Sequence, residues 1–131
     1  MSNLETMVNP SDINVTVETQ YIANQSIPDQ NQFAFAYHIT ISNNSDFGVV
    51  LLHRHWIIID ADEQQQEVKG AGVIGEQPLI PTNTQYKYSS GTVLNTPVGT
   101  MQGSYHMVDE FNNPLEVPIA PFLLAAPNQV N

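Results

Sequence analysis

Apolar and polar residues alternate along several short segments of the chain. The clearest segment covers residues 33–42, in which every second side chain from Phe33 to Ile41 is aromatic or β-branched. A period of two puts neighbouring side chains on opposite faces of a strand, so this segment predicts a half-buried β-strand and excludes an amphipathic helix. The same alternation recurs in residues 13–19, 84–89, 99–108 and 115–119.

The segment from Val49 to Asp60 is apolar and β-branched with few breaks, which is typical of a strand covered over most of its length. It contains the only tryptophan of the chain, Trp56. Turns rich in Pro, Gly, Asn and Asp separate the segments, and none of the segments shows helical periodicity. The pattern predicts an all-β fold, an antiparallel sandwich or barrel with Trp56 in its core.

A chain of 131 residues is expected to form one domain. We expect a flexible N-terminal arm at residues 1–12, which lack periodicity, a β-sandwich at residues 13–125, and a frayed polar tail at residues 126–131. Pro118 removes a hydrogen-bond donor from the last predicted strand, so that strand is expected to lie at a sheet edge or to bend there.

The charge balance narrows the range of partners. Three Lys and Arg residues stand against 13 Asp and Glu residues, which gives a formal net charge of −10. Nucleic-acid binding needs a cluster of cations on one face, so nucleic acid and anionic membranes are excluded as general partners. The acidity indicates a solvated surface, and it also suits a cation or a basic protein as a partner.

Two further absences in the sequence bear on location. The chain has no cysteine, which fits a reducing compartment, and its N-terminal residues lack the basic and apolar pattern of a signal peptide. No apolar run approaches the ~20 residues of a membrane-spanning helix. We therefore predict a cytoplasmic protein.

Catalytic groups are not recognisable in the sequence. Ser89, Ser90 and Ser104 have no general base at a known spacing. Paired carboxylates such as Asp60 and Asp62 lie in predicted turns, where carboxylates are common for structural reasons. The protein is therefore predicted not to be an enzyme and to need no cofactor. Hydrolysis of a phosphoanhydride would require metal-binding carboxylates near the glycine segment described next.

Gly70, Gly72 and Gly75 have the spacing GxGxxG. In dinucleotide-binding folds such glycines precede a helix, but no helical pattern follows them here. Two interpretations remain. The glycines form a bulge or tight bend between strands, which we favour. Alternatively, their backbone N–H groups converge on an anion, with Lys69 and Arg54 adding positive charge.

His53 and His55 are two residues apart on a predicted strand and therefore point to the same face. Two imidazoles at this spacing can share a metal ion if a third ligand joins them. We favour solvent-facing histidines. Arg54 lies on the opposite face, where we expect it to pair with Asp60 or to stack on an aromatic ring.

Several motifs in a fixed order resemble those of the bacterial ApaG family. They are RHWIIID at residues 54–60, VKGAGVIGEQP at 68–78, YSSG at 88–91, GTMQGSYHMVDE at 99–110 and FLL at 122–124. The resemblance covers nearly all of residues 13–124. Two turn positions depart from the family pattern, because the turn after Asp60 lacks the common glycine and Pro81 is followed by Thr82.

The resemblance implies an immunoglobulin-like or fibronectin type III-like antiparallel β-sandwich with two packed sheets. It also implies a link to cobalt-resistance and magnesium-transport phenotypes. Related domains occur fused to F-box and polymerase-interacting proteins, which implies protein–protein binding. Pyrophosphate or nucleotide binding has been proposed for the glycine motif, which corresponds here to Gly70, Gly72 and Gly75.

The functional prediction is therefore a non-catalytic binding module, monomeric or homodimeric, whose protein partner is recognised by a sheet surface or an exposed edge strand. Two alternatives remain. One is binding of pyrophosphate or a nucleotide at residues 70–75 with Lys69 and Arg54. The other is binding of a divalent cation, cobalt or magnesium, by His53 and His55.

Overall fold

The computed structural model describes residues 7–127. The first six residues of the predicted arm and the last four of the predicted tail lie outside this range. Within it, one residue of the predicted arm and one of the predicted tail pack against the sandwich. Val8 is buried and donates its N–H to Asp109 Oδ2 at 3.2 Å. Ala126 is buried and its N–H donates to the carbonyl of Pro97 at 2.8 Å. Both residues pack against the domain because each buries an apolar side chain and satisfies its amide.

The described residues form eight β-strands and three short 3-10 helices, without an α-helix. The strands are β1 (Ile13–Tyr21), β2 (Phe33–Asn43), β3 (Val49–Asp60), β4 (Gln65–Ala71), β5 (Leu79–Ile80), β6 (Thr84–Leu94), β7 (Val98–Asp109) and β8 (Pro114–Ala125). The 3-10 helices are Pro10–Asp12, Ala23–Gln25 and Pro28–Gln30. In this range there is also no helix long and apolar enough to cross a bilayer.

The strands form two antiparallel sheets. One has the order β1-β2-β6, and the other has the order β4-β3-β7-β8 with β5 pairing to β3. The predicted all-β sandwich with two packed sheets is thus confirmed, while its fibronectin type III-like subclass stays a prediction. The prediction for Pro118 is also confirmed, since β8 is an edge strand and its pairing with β7 shifts register between Met101 and Gly103.

The core lies between the sheets and is built from the alternating side chains that the pattern indicated. Trp56 is 2% exposed and meets three rings edge-on or nearly so, with centroid distances of 5.6 Å to Tyr37, 6.2 Å to Tyr105 and 5.8 Å to Phe122. Edge-to-face packing is the favoured arrangement of aromatic pairs. The expected central position of Trp56 is therefore confirmed.

A register shift in β3 decides which side chains face the core. The pairing of β3 with β7 is interrupted between Leu51 and His53. Leu51 faces inward before the shift, and Trp56 and Ile58 face inward after it. A β-bulge inserts one residue and so reverses the alternation. Arg54, two residues before Trp56, consequently points to the inner face of the sheet.

The two lateral sides of the sandwich differ. On the side formed by β1 and β8, which we call the closed side, Thr19 Oγ1 donates to the carbonyl of Leu123 at 3.4 Å and the ring of Phe122 packs on Trp56. On the other side β4 and β6 are the edges of different sheets and do not pair. We call the gap between β4 and β6 the open cleft.

Candidate functional site

Strand β6 borders the open cleft with an unprotected edge. It pairs with β2 on one side only, over its whole length from Thr84 to Leu94. It contains no proline and no carboxylate, and its one charged residue is Lys87. By contrast, β8 contains three prolines, and β1 and β4 each carry a glutamate. Proteins normally protect a sheet edge with prolines, charges or coverage, and β6, at 11 residues, is the longest edge strand of the described residues without a proline.

The open cleft consists of three neighbouring depressions of about 170, 240 and 110 Å³. The first two share Arg54, Trp56 and Ser90, and the second and third share Ile58 and Gln66. An exposed apolar side chain stands at each end, Ile74 at 59% exposure and Val93 at 55%. The cleft therefore follows β6 for much of its length, with apolar side chains at its ends and Arg54 near its middle.

Arg54 is hydrogen-bonded to the glycine segment at the wall of the cleft. Its Nη1 group donates to the carbonyls of Ala71 and Gly72 at 3.1 and 3.0 Å. The guanidinium lies against Gly70, where a Cβ atom would come within 2.7 Å of Nη1. A side chain at position 70 would therefore require the guanidinium to shift. The expected pairing of Arg54 with Asp60 was wrong, since Asp60 Oδ1 instead accepts the N–H groups of Asp62 and Gln64, both at 2.9 Å.

The glycine segment forms a tight turn at one end of the cleft. Val73 and Glu76 exchange backbone hydrogen bonds of 2.8 and 3.0 Å, and the two residues between them, Ile74 and Gly75, have φ of 48° and 76°. Two consecutive positive φ values define a type I′ turn, which glycine and asparagine adopt easily. A β-branched residue does not, so Ile74 is strained as well as exposed.

Tyr88 lines the cleft on the β6 side, and hydrogen bonds involve it and two further tyrosines, Tyr86 and Tyr105. The hydroxyl groups of Tyr88 and Tyr105 are hydrogen-bonded to each other, and Tyr86 donates to Glu76 Oε2 at 3.1 Å. Burial raises the pKa of both Tyr88 and Tyr105, while the charge of Arg54 opposes this and lowers the pKa of each. Both phenols are therefore neutral hydrogen-bonding groups at ordinary pH.

The five residues predicted to bind an anion do not converge on one point. Gly70 lies opposite Arg54 in the β3–β4 ladder and Lys69 lies opposite His55, so alternation puts Lys69 on the outer face and Arg54 on the inner face. The N–H of Gly72 donates to the carbonyl of Leu52 at 2.7 Å. The favoured interpretation of a tight bend describes Gly72 and Gly75 well, and anion binding by the segment stays a prediction.

His53 and His55 do share the outer face of the second sheet, together with His106, which lies opposite His53. They border a shallow depression of about 730 Å³. His55 Nε2 lies 3.0 Å from Glu67 Oε2, and the hydrogen bond from His55, helped by Lys69, lowers the pKa of Glu67. No group of three or more His, Asp or Glu side chains within residues 7–127 is arranged to hold a metal ion. The third ligand that a shared metal would need is thus not supplied by the described part of the chain.

Sequence reasoning missed the open cleft and the strained Ile74. A signal for the cleft was available, because the segment TQYKYSSGTVL at residues 84–94 is long, free of proline and almost uncharged. No signal identified Ile74 as the tip of a turn, since isoleucine at a type I′ position contradicts the usual turn preferences.

The chain is similar in sequence to proteins named ApaG. Residues 23–109 match the ApaG domain family. Protein ApaG of Bordetella pertussis is 47% identical over 131 residues, which is the whole of both chains. Protein ApaG of a Pseudomonas fluorescens strain is 50% identical over 119 residues, or 91% of this chain and 94% of the relative.

Solved structures agree with the fold. An X-ray structure of a structural-genomics target is similar with a TM-score of 0.88 at 48% identity, and the match covers 93% of this chain and 92% of the other. A crystal structure of a Bordetella pertussis protein described as ApaA has a TM-score of 0.86 at 48% identity, with 89% of this chain and 95% of the other covered.

Proposed function

The chain belongs to the ApaG family, and on that premise we propose that it is a non-catalytic module that binds a protein partner. The observation that carries the proposal is the free edge of β6, which lacks both proline and carboxylate and lies beside the open cleft. An extended segment of the partner adds to this edge as a further strand of the β1-β2-β6 sheet.

The chemistry of strand addition suits this edge. The backbone N–H and C=O groups of β6 that face away from β2 provide hydrogen bonds, each with a net contribution of about 0.5–1.5 kcal/mol. Alternate side chains of the added strand enter the open cleft and provide selectivity. The cleft borders β6 from Tyr88 to its last residue, Leu94. At about 3.4 Å per residue, an added segment of about seven residues would fill it.

A pair of proline variants tests the proposal. Successive N–H groups of a strand point to opposite edges, so one of Ser89→Pro and Ser90→Pro removes a donor to β2 and the other removes a donor from the free edge. Thermal unfolding identifies them, because only loss of a β2 bond lowers the melting temperature strongly. We expect the stable variant to lose the proteins that wild type retains from a cell lysate.

The control for this experiment is the circular dichroism spectrum, which must match wild type for the stable variant. Equal retention of the same proteins by wild type and the stable variant would refute strand addition at β6. Retention of nothing above the resin background by wild type would count against a protein-binding module altogether.

A second candidate function is binding of free pyrophosphate or a nucleotide. The observation that favours it is that the Nε and Nη2 groups of Arg54 donate to no residue in the range 7–127. Lys69 is not available to the same anion, so any such site depends on Arg54 alone among the cations. Calorimetric titration with pyrophosphate and with ATP tests it, and absence of heat at millimolar concentrations would remove it.

Binding of cobalt or magnesium by His53 and His55 stays a prediction, as do the cytoplasmic location and the choice between monomer and homodimer. If the two histidines bind cobalt, the ion raises the melting temperature of wild type and has no effect on the double variant His53→Ala, His55→Ala. Sedimentation over a range of concentrations determines the oligomeric state.

A further inference from the structure

Arg54 is the only arginine in a chain of formal net charge −10, yet it forms no ion pair with any carboxylate of residues 7–127. Its side chain is half-buried and lines two of the depressions that form the open cleft. A cation in such a position is normally matched by a carboxylate, because desolvation without a partner is unfavourable. Arg54 therefore lacks, within residues 7–127, the carboxylate that normally accompanies a half-buried arginine.

The nearby carboxylates are engaged elsewhere. Glu76 accepts a hydrogen bond from Tyr86, and Glu67 lies on the outer face with His55 and Lys69. Asp60 accepts two N–H groups of its own turn. Each of these carboxylates has partners of its own and none forms an ion pair with Arg54, so Arg54 remains available to a carboxylate from outside the chain.

The surroundings of Arg54 suit a carboxylate. One depression of about 170 Å³ is lined by Arg54 together with the polar side chains of Tyr37, Tyr88 and Ser90. The Nε and Nη2 groups form the fork that binds a carboxylate through two parallel hydrogen bonds, and neither donates to another described residue. Arg54 lowers the pKa of both Tyr88 and Tyr105, although burial raises each pKa by more, so its charge lies near both phenols.

We propose that Arg54 binds a single side-chain carboxylate of the extended segment that adds to β6, a specificity that rests on the function proposed above. The rest of the segment is uncharged or basic, because the acidic surface of the protein repels a polyanion. Ile74 lines the same depression and is exposed and strained. It contacts an apolar residue of the segment next to the acidic one.

The test begins with a selection on the full-length protein. A display library of random ten-residue linear peptides is panned on wild type, and an enriched peptide is synthesised with its acidic residue intact and with that residue changed to the matching amide. We expect enriched peptides to carry one Asp or Glu at a fixed distance from an apolar residue. Dissociation constants are then measured by calorimetry.

A double-mutant cycle isolates the contact. Replacing the acidic residue of the peptide by its amide is expected to weaken binding to wild type by about tenfold to a hundredfold. Against Arg54→Met the same replacement is expected to have almost no effect. The matched control is Lys87→Met, which removes one positive charge from β6 on the side away from the cleft. This control keeps the full sensitivity to the peptide change.

Arg54→Met can loosen the turn, because Arg54 also holds the carbonyls of Ala71 and Gly72. A second measurement avoids this difficulty. The side-chain Nε–H resonance of Arg54 in wild type is expected to shift on addition of the acidic peptide and to stay in place on addition of its amide form.

The outcomes separate the two proposals. Equal weakening of wild type and Arg54→Met, an unmoved Nε–H resonance, or enriched peptides without an acidic residue would overturn the role of Arg54 while strand addition stands. Failure to enrich any peptide above the starting library would overturn strand addition, and the specificity of Arg54 would fall with it.

Discussion

The closed side and the open cleft are the two lateral borders of the same sandwich, and they manage their strand edges in opposite ways. On the closed side β8 carries Pro114, Pro118 and Pro121, and its Phe122 ring fills the space next to Trp56. On the cleft side β6 carries no proline. Arg54 lies next to Trp56 there, and both side chains line a depression that is not filled by other side chains. One border is built to end the sheet, and the other remains able to extend it.

The hairpins at the two borders sharpen this difference because their backbones are alike. The turn from β3 to β4 begins at Asp60, and the turn from β7 to β8 begins at Asp109. In each, the aspartate Oδ1 accepts the N–H groups two and four residues later, and the fourth residue of the turn has a φ of 63°. Asp109, however, is 3% exposed and also binds Val8. The aspartate of the turn is therefore buried at the closed side and half-buried beside the cleft.

The largest expected effect concerns apolar packing in β8. Leu124 is fully buried and Leu123 is 57% exposed. Leu124→Ala should lower the free energy of unfolding by about 2–5 kcal/mol, because it loses burial and leaves a cavity. Leu123→Ala, the matched control, should change it by less than about 0.5 kcal/mol. Urea denaturation measures both, and similar losses would show that the closed side is not packed as described.

The next effect compares the two aspartates. Asp109→Ala removes the acceptor of three buried or half-buried N–H groups and should cost about 1–3 kcal/mol, whereas Asp60→Ala should cost less because water replaces the lost acceptor. Urea denaturation at neutral pH gives both values. Equal losses would mean that the burial of Asp109 makes no difference to the free energy of unfolding.

Acid should reveal the same difference. Burial raises the pKa of Asp109, but the N–H donors of Asn113, Phe111 and Val8 together hold it below its ordinary value. A depressed folded pKa contributes stability above the unfolded value of about 3.9, and this stability is lost as the pH falls through the folded value. Wild type should therefore lose part of its advantage over Asp109→Ala below about pH 4, as acid titrations at fixed urea would measure. A constant difference would contradict the assignment.

A smaller effect of opposite sign is expected at Ile74. Ile74→Asn relieves the positive φ of a β-branched residue and should raise the free energy of unfolding by about 1 kcal/mol. If Ile74 contacts the bound segment, the same variant should bind the selected peptide more weakly. Val93→Asn, at the other exposed end of the cleft, gives the control without a change in φ. Greater stability with unchanged peptide binding would show that Ile74 takes no part in binding the peptide.

The smallest effect again concerns the two hairpins. The positive-φ position is Glu63 beside the cleft and Asn112 at the closed side. Asparagine adopts this conformation more readily than glutamate. Glu63→Asn should therefore stabilise the protein by about 0.5 kcal/mol, and Asn112→Glu should destabilise it by a similar amount, as thermal unfolding would measure. Shifts of the same sign would show that the turns are not equivalent.

Much of the fold could be predicted because it depends on local pattern. Period-two alternation located β2, β6, β7 and β8, and the β-branched run located β3 with Trp56 in the core. Pro118 identified an edge strand through a missing N–H group. The site could not be predicted in the same way. Alternation puts Arg54 on the face of Trp56, but the bulge at Leu52 brings that face to the inside directly after Leu51, and a bulge depends on pairing between distant strands.

What the sequence determined by itself is the set of strands, their buried faces and the absence of a helical layer, since these follow from side-chain spacing along a single segment. Tertiary structure alone decided which edges were covered and which groups surrounded Arg54. These features depend on how the hairpin of β3 and β4 lies against β6, which belongs to the other sheet. Only when both sheets are in place does an unpaired arginine face an open strand edge.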